Sequence, residues 1–197
     1  MNDLIDVFKG IVIENCKNES FKYREWFVKD HLLIVEKLAN ELCAFYPEAD
    51  KDIVNVLVWF HDFGKPIDEV NEREITRNEG CRVLREIGFS NDFIKKVLYT
   101  WELMEKKNDI DISKQPIEVQ IISSADGGSH FVGKFYSSYF RDDPNESLES
   151  IEDRLEKKIN KDWNNKIVLP ELKKAFKERY KKALEIVGEY PDKLIDL

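Results

Sequence analysis

Glycine and proline are scarce in this sequence, with eight glycines and six prolines among 197 residues. An all-β sandwich needs many more turn residues than this, so the composition favours helices. Long apolar runs are missing as well. The run 56–60 has only five residues, whereas a membrane span requires about eighteen. We therefore expect a chain that makes no membrane contact.

Several catalytic signatures are also absent. The sequence has no P-loop, no G-x-G-x-x-G segment and no G-x-S-x-G segment, which leaves nucleotide binding by a glycine loop and serine hydrolysis without support. The N-terminus carries Asp3 and Asp6 and has neither a basic region nor a small-residue cleavage site. We interpret it as part of the fold and not as a signal peptide.

The cysteines are few and far apart. There are three, Cys16, Cys43 and Cys81, and no Cys-x-x-Cys. An odd number at such spacing excludes a disulfide framework and a cysteine zinc finger. The pattern is typical of reduced thiols, so we expect the protein to be cytoplasmic.

The charge is acidic overall, at −8, which argues against a protein that coats nucleic acid. Residues 154–182 differ, since they hold eleven Lys or Arg and four Asp or Glu. Two interpretations of this basic segment stay open: a solvated pair of amphipathic helices, or a local surface that attracts anions.

Apolar residues recur at helical spacing along most of the chain. With 42% hydrophobic residues, the chain has enough apolar material for one domain, 1–197. We predict an all-α bundle of about eight helices, interrupted near Pro144. The expected segments are 4–16, 26–46, 51–63, 75–87, 92–107, a mixed stretch 115–139 weakened by Gly127-Gly128, 147–162 and 168–190.

Two histidines and two aspartates lie on predicted inward faces: His31, His61, Asp62 and Asp126. A single histidine on an apolar face is usually a core residue with one hydrogen bond. Buried aspartates need a cation or strong donors, because an uncompensated buried charge costs several kcal/mol. Two imidazoles and two carboxylates from three helices therefore predict a site for a divalent metal ion.

These four residues resemble, in order and context, the H…HD…D signature of the HD superfamily of metal-dependent phosphohydrolases. The segment His61-Asp62-Phe63-Gly64-Lys65-Pro66 is similar to its central H-D-x-G-K motif, and 121–126 resembles the helix that supplies the last ligand. The resemblance covers an HD core of about 24–131 and leaves 145–192 as a C-terminal helical extension. It implies an HD-type helical fold and a hydrolase that uses metal-activated water.

The sequence departs from the two-metal members of that superfamily. Thr76, ahead of Gly80, and Trp101 stand near positions where those members have further histidines. Neither residue type binds a metal well, so the resemblance implies a single-metal subtype. It argues against di-iron oxygenases and cyclic-dinucleotide phosphodiesterases. The expected cofactor is one divalent ion, Mn, Co, Ni, Zn or Fe(II).

The resemblance also suggests roles around the ion. Asp62 and Lys65 are the expected catalytic residues, and the expected ligands are His31, His61, Asp62 and Asp126. Arg24, Arg77 and His130 are candidates for binding substrate, a nucleotide or another small phosphorylated metabolite. The alternative is a non-catalytic HD module that uses the metal for stability or ligand sensing. RNA processing through 154–182 is a third, weaker hypothesis, because the remaining sequence is acidic.

Overall fold

A computed structural model of the chain describes residues 1–106, 108–142 and 145–187. These residues contain helices and no strand, which confirms the predicted all-α fold. The nine helices of the described ranges are α1 (Asn2–Asn15), α2 (Val28–Leu32 and Leu33–Cys43), α3 (Lys51–Phe60), α4 (Glu72–Ile75, Thr76–Gly80 and Cys81–Glu86), α5 (Asn91–Glu105), α6 (Ile117–His130), α7 (Phe135–Asp142), α8 (Leu148–Lys161 and Asp162–Lys166) and α9 (Pro170–Val187).

The helices occupy the predicted segments, with shifts at their ends. The mixed stretch 115–139 contains two helices, α6 and α7, so the described ranges hold nine helices where about eight were expected. Helix α3 ends at Phe60, before the predicted stop at 63. Pro144 and the predicted end of the last helix at 190 lie outside the described residues. No helix of the described ranges has both the length and the apolar character needed to cross a bilayer.

Side-chain caps fix the starts of three helices. Asp50 accepts a hydrogen bond from the Ile53 amide at 3.2 Å. The hydroxyl of Ser90 accepts from Phe93 at the start of α5, and that of Ser147 accepts from Ser150 at the start of α8. Each cap satisfies an amide that has no partner within the helix.

Helix α6 lies at the centre of the fold, in contact with α2, α3, α5 and the end of α8. It runs without a break through Gly127-Gly128, so the expectation that this pair weakens the helix is wrong. The reason is packing. A Cβ on Gly127 would lie 2.8 Å from the Lys166 side chain, and one on Gly128 would lie 2.9 Å from Leu172. The two glycines let the C-terminal helices approach α6 closely.

Three of the helices contain a π-helical turn, in which the backbone hydrogen bonds skip one residue more than in an α-helix. These turns are Val28–Leu32 in α2, Thr76–Gly80 in α4 and Asp162–Lys166 in α8. Such turns often occur at functional sites. Here they carry His31, Thr76 and Asp162, which all lie at or beside the cluster described next.

Candidate metal centre

Three elements bring the four predicted ligands to one cavity. His31 lies in the π-turn of α2, His61 caps the end of α3 with Asp62 after it, and Asp126 lies on α6. All four side chains line the same cavity of about 170 Å³. The two histidines and Asp126 are buried, and the Asp62 side chain is 15% exposed.

A tight turn after α3 lets adjacent residues face the cavity. Gly64 makes this turn possible, because a Cβ at that position would lie 2.1 Å from the Glu72 carbonyl oxygen. The Gly64 amide donates to Oγ1 of Thr76 at 2.9 Å. The indole of Trp101 donates to the carbonyl oxygen of His61 at 3.2 Å. Thr76 and Trp101 therefore support the turn with hydrogen bonds that fix the His61-Asp62 backbone.

Three donor atoms lie at the spacing of ligands around one ion. Nε2 of His31 and Nε2 of His61 are 3.3 Å apart, and Oδ2 of Asp62 lies 3.3 and 3.4 Å from them. Ligand atoms about 2.0–2.2 Å from a shared ion, at tetrahedral or octahedral angles, are separated by roughly 2.8–3.6 Å. The three atoms thus have the spacing of one face of a coordination polyhedron.

The hydrogen bonds on the opposite side of each ring fix its tautomer. Nδ1 of His61 lies 2.9 Å from the carbonyl oxygen of Val58, so this nitrogen carries the proton. Nδ1 of His31 lies 2.9 Å from Oγ of Ser129. That hydroxyl already donates to the carbonyl oxygen of Asp126 at 2.7 Å, so it accepts from His31. In the neutral rings both Nε2 atoms are left with lone pairs, which at 3.3 Å repel each other unless a metal ion or a proton lies between them.

Electrostatics keep this cluster in the form that binds a metal. Burial lowers the pKa of His31, despite the opposing effect of Asp62 and Asp126. Burial disfavours the charged form of Asp62, but Lys65, His61 and His31 outweigh it and hold the pKa of that carboxyl well below its ordinary value. Neutral imidazole and ionised carboxylate are the protonation states of metal ligands.

Lys65 lies beside the predicted ligands, as the sequence suggests. Its ammonium donates to Oδ1 of Asp62 at 2.9 Å and lies 3.8 Å from Glu72. Burial opposes its charge, but Asp62 and Glu72 more than compensate and raise the pKa of Lys65. A permanent cation therefore lines the cavity next to a ligand carboxylate.

Two predicted substrate-binding arginines lie away from the cavity. Arg24 is exposed and donates to the carbonyl oxygen of Glu19 at 2.5 Å. Arg77 pairs with Glu102 at 2.7 Å, and its side chain is 54% exposed. The structure does not bring either guanidinium to the cluster. His130, the third candidate, does line the cavity and is buried.

Sequence reasoning missed a second group of charges, contributed by α8. Lys158 and Lys166 line the cavity. Lys166 donates to Oδ2 of Asp126 at 2.7 Å, and Lys158 donates to Oδ1 of Asp162 at 2.5 Å. Asp162 also accepts from the Tyr136 hydroxyl at 3.1 Å. The signal was present in the spacing, because Asp162 continues the buried stripe of Ile151, Leu155 and Ile159.

A second cavity of about 210 Å³ adjoins the first. The two share Phe27, Lys65 and Phe135 in their walls. The second is aromatic, with Tyr23, Trp26 and Tyr139 among its lining residues, and it carries two cations and two acids, Lys22, Arg154, Glu69 and Asp142. The Trp26 indole nitrogen is a buried donor with no acceptor in the described part of the chain. Together the cavities offer one polar and one aromatic compartment.

Comparison with known proteins gives one match. A family model described as HD domain matches residues 28–127, a range that contains all four predicted ligands and Lys65. It ends before α7, α8 and α9. Neither the comparison with curated proteins nor that with solved structures found a match.

Proposed function

The chain belongs to the HD domain family, and on that premise we propose that it is a metal-dependent hydrolase of small phosphorylated molecules. The observation that carries the proposal is the pair of imidazole lone pairs beside an ionised aspartate. His31 and His61 direct their Nε2 atoms to one point, 3.3 Å apart. Two neutral imidazoles protonated at Nδ1 cannot hydrogen-bond to each other through Nε2, whereas a divalent cation binds both nitrogens.

The donor set fits one divalent ion. His31, His61, Asp62 and Asp126 would hold it, with nitrogen and oxygen donors that suit Mn, Co, Ni, Zn or Fe(II). When bound, such an ion supplies a Lewis acid that activates water and polarises a phosphoryl oxygen. The proposal includes a single ion, because Thr76 and Trp101 use their polar atoms to support the turn after α3.

Two ammonium groups, Lys65 and Lys166, give the cavity its affinity for phosphate in this proposal. Lys158 lines the cavity as well, but burial lowers its pKa to about 7, so near neutral pH its amine is only partly protonated. Lys65 also holds Oδ1 of Asp62, so it would orient a ligand while it attracts the phosphate. Ammonium groups in a water-poor cavity bind phosphate oxygens through charge-assisted hydrogen bonds.

The adjoining cavity would receive the organic part of the substrate. The metal cavity, at about 170 Å³, is smaller than the roughly 300–1,000 Å³ typical of complete ligand sites. The aromatic walls of the second cavity, Tyr23 and Tyr139 among them, suit a planar or apolar group. With the phosphate in the metal cavity and the organic group in the second cavity, the substrate would be a phosphomonoester of a nucleoside or of a comparable small alcohol.

Two broader expectations remain part of the proposal. One cluster of buried apolar residues extends from Ile5 to Val187, which supports a single domain that includes the C-terminal extension. Cys16, Cys43 and Cys81 are buried free thiols, which supports a reducing compartment such as the cytoplasm.

The test is a hydrolysis screen with the purified full chain. Metal-free protein is loaded with each of the five candidate ions and offered 4-nitrophenyl phosphate, nucleotides, sugar phosphates and phosphodiesters. We expect metal-dependent release of phosphate from a monoester, lost in Asp62→Ala and retained in Arg77→Ala, whose side chain lies away from the cavity. No hydrolysis of any compound with any ion would contradict the proposal and favour the non-catalytic HD module.

A further inference from the structure

His130 presents a third imidazole to the same cavity. It lies at the end of α6, one helical turn after Asp126, and is 4% exposed. Its Nδ1 is 2.7 Å from Oδ2 of Asp162, a carboxylate with no exposed surface. A carboxylate accepts and cannot donate. Nδ1 of His130 therefore carries the proton, and Nε2 carries a lone pair.

The environment of Asp162 keeps this arrangement in place. Its carboxylate accepts from Lys158 and Tyr136, and Lys166 lies 3.6 Å away. Oδ1 faces the two lysines and Oδ2 faces the Tyr136 hydroxyl, and all three groups are donors. Asp162 therefore acts as an acceptor toward Nδ1–H of His130 as well, which fixes that tautomer.

The lone pair of His130 faces further acceptors. Nε2 lies 3.5 Å from Oδ1 of Asp126. Donor atoms of His31, Asp126 and His130 all lie within 4.8 Å of one another, and this group shares His31 with the group of His31, His61 and Asp62. The rings of His130 and Phe135 stack with centroids 3.7 Å apart, which holds the imidazole plane. An unprotonated Nε2 cannot donate to a phosphate oxygen, so this geometry does not suit the substrate-binding role that the sequence suggested.

We infer that His130 is an additional ligand of the ion, and that Asp162 is the positioning residue that fixes its tautomer and orientation. All three imidazoles then follow one rule. Each donates a hydrogen bond from Nδ1–H to a buried acceptor and directs Nε2 at the cavity. The acceptors are the Val58 carbonyl for His61, the Ser129 hydroxyl for His31 and the Asp162 carboxylate for His130. Carboxylate–histidine–metal arrangements of this kind orient ligands and raise their basicity.

Asp162 lies outside residues 28–127, the range matched by the family model. His130 also lies just beyond that range, so the C-terminal extension would position a ligand that adds to the predicted ligands within it. Although the assignment rests on the metal site of the proposed function, it does not depend on hydrolysis. Its tests are therefore measurements of metal binding.

The first test uses the fact that the chain contains only three histidines. Nitrogen-15 NMR of the imidazoles, before and after addition of Zn²⁺, reports each tautomer and each nitrogen that binds metal. We expect three rings protonated at Nδ1 and three Nε2 resonances displaced by zinc. Displacement of only two would overturn the inference while leaving the metal site intact. Displacement of none would overturn the metal site as well.

The second test measures Co²⁺ binding by visible absorption and by competition with a chelator. His130→Gln should weaken cobalt binding about 10–100-fold and change the absorption bands, with one ion still bound. Asp162→Asn keeps an acceptor for the Nδ1 proton and should weaken binding less than Asp162→Leu does. Tyr136→Phe is the matched control, because it removes another bond to Asp162 and should leave the spectrum unchanged.

Circular dichroism establishes that each variant is folded before cobalt is added. A folded His130→Gln protein with the wild-type spectrum and affinity would overturn the inference, whatever its activity. If His130→Gln does not fold, the zinc titration of the unmodified chain decides the question alone.

Discussion

The Lys166 ammonium lies 2.7 Å from Oδ2 of Asp126, and both side chains are more than nine-tenths buried. The two residues come from α8 and α6, which approach closely at Gly127. Burial opposes the charge on Lys166, but Asp126 and Asp162 outweigh it and raise the pKa of this lysine. The pair therefore joins the C-terminal extension to the metal cavity by a buried ionic contact.

Lys166→Met should destabilise the metal-free protein by about 3–5 kcal/mol, because it leaves the buried Asp126 carboxylate without this cation. A divalent ion compensates the same carboxylate, so the loss should be smaller when the ion is present. Urea unfolding with and without Mn²⁺ measures both values. The control is Lys181→Met, which breaks the exposed contact with Glu178 and should not change the midpoint. An equal loss with and without Mn²⁺ would contradict this prediction.

Asp62→Ala and Lys65→Ala should separate metal binding from catalysis. Asp62 is a predicted ligand, so its removal should abolish metal binding and activity together. Lys65 contacts Asp62 but lies outside the predicted ligand set, so Lys65→Ala should keep the metal while kcat/KM falls about 10–100-fold. Metal analysis and steady-state kinetics on both proteins check this, with Arg24→Ala as the unaffected control. Complete loss of metal from Lys65→Ala would show that this lysine is required for binding.

The stoichiometry should be one ion per chain. Thr76 and Trp101 are buried and engaged in hydrogen bonds to Gly64 and His61, so neither position offers a donor for a second ion. Elemental analysis of protein equilibrated with excess Mn²⁺ and then desalted gives the number directly. Two tightly held ions would show that these positions were wrongly matched to the ligands of two-metal members.

Acid should destabilise the metal-free protein partly through His130. Burial lowers the pKa of His130 to about 3, whereas an unfolded histidine titrates near about 6.5. Between these values the unfolded state binds more protons, so the stability due to this group is complete above about pH 6.5 and lost as the pH falls. His130→Gln should therefore reduce the slope of unfolding free energy against pH, by at most about 1.4 kcal/mol per unit.

Urea unfolding at a series of pH values from 4 to 8 measures that slope. Asp162 also releases its proton more readily in the folded state, but its contribution is lost at lower pH, below the range of an ordinary carboxyl. The two effects are therefore separable. Identical slopes for His130→Gln and the unmodified chain between pH 4 and 6.5 would contradict the lowered pKa of His130 on which this prediction depends.

Much of the fold follows from local sequence signals. The helical segments and the inward faces of α2 and α3 could be predicted, because apolar periodicity acts over a few residues. The ordered histidines and aspartates likewise indicated one site. Their convergence depends on Gly64, where a missing Cβ admits the Glu72 backbone.

The contribution of α8 was not predicted, because its meaning depends on tertiary packing. Lys158 and Lys166 belong to a basic segment whose default interpretation is a solvated helix face. In the structure the Lys166 side chain is 6% exposed, since Gly127 lets the end of α8 approach α6. No local pattern distinguishes such a lysine from its exposed neighbours, although Asp162 on the apolar stripe was a usable sign.

The number of residues in each π-helical turn determines which side chains of its helix face the metal cavity. Each turn amounts to one residue inserted into an α-helix, and each α-helical residue changes side-chain direction by about 100°. Deleting one residue from Val28–Leu32 would let the backbone wind regularly, but it would turn the residues before the deletion away from their present neighbours. Deletions there, in Thr76–Gly80 or in Asp162–Lys166 would therefore change which side chains face inward. Tolerated insertions and deletions are expected instead at exposed positions away from the cavity, such as Val70 and Asn71 just before α4.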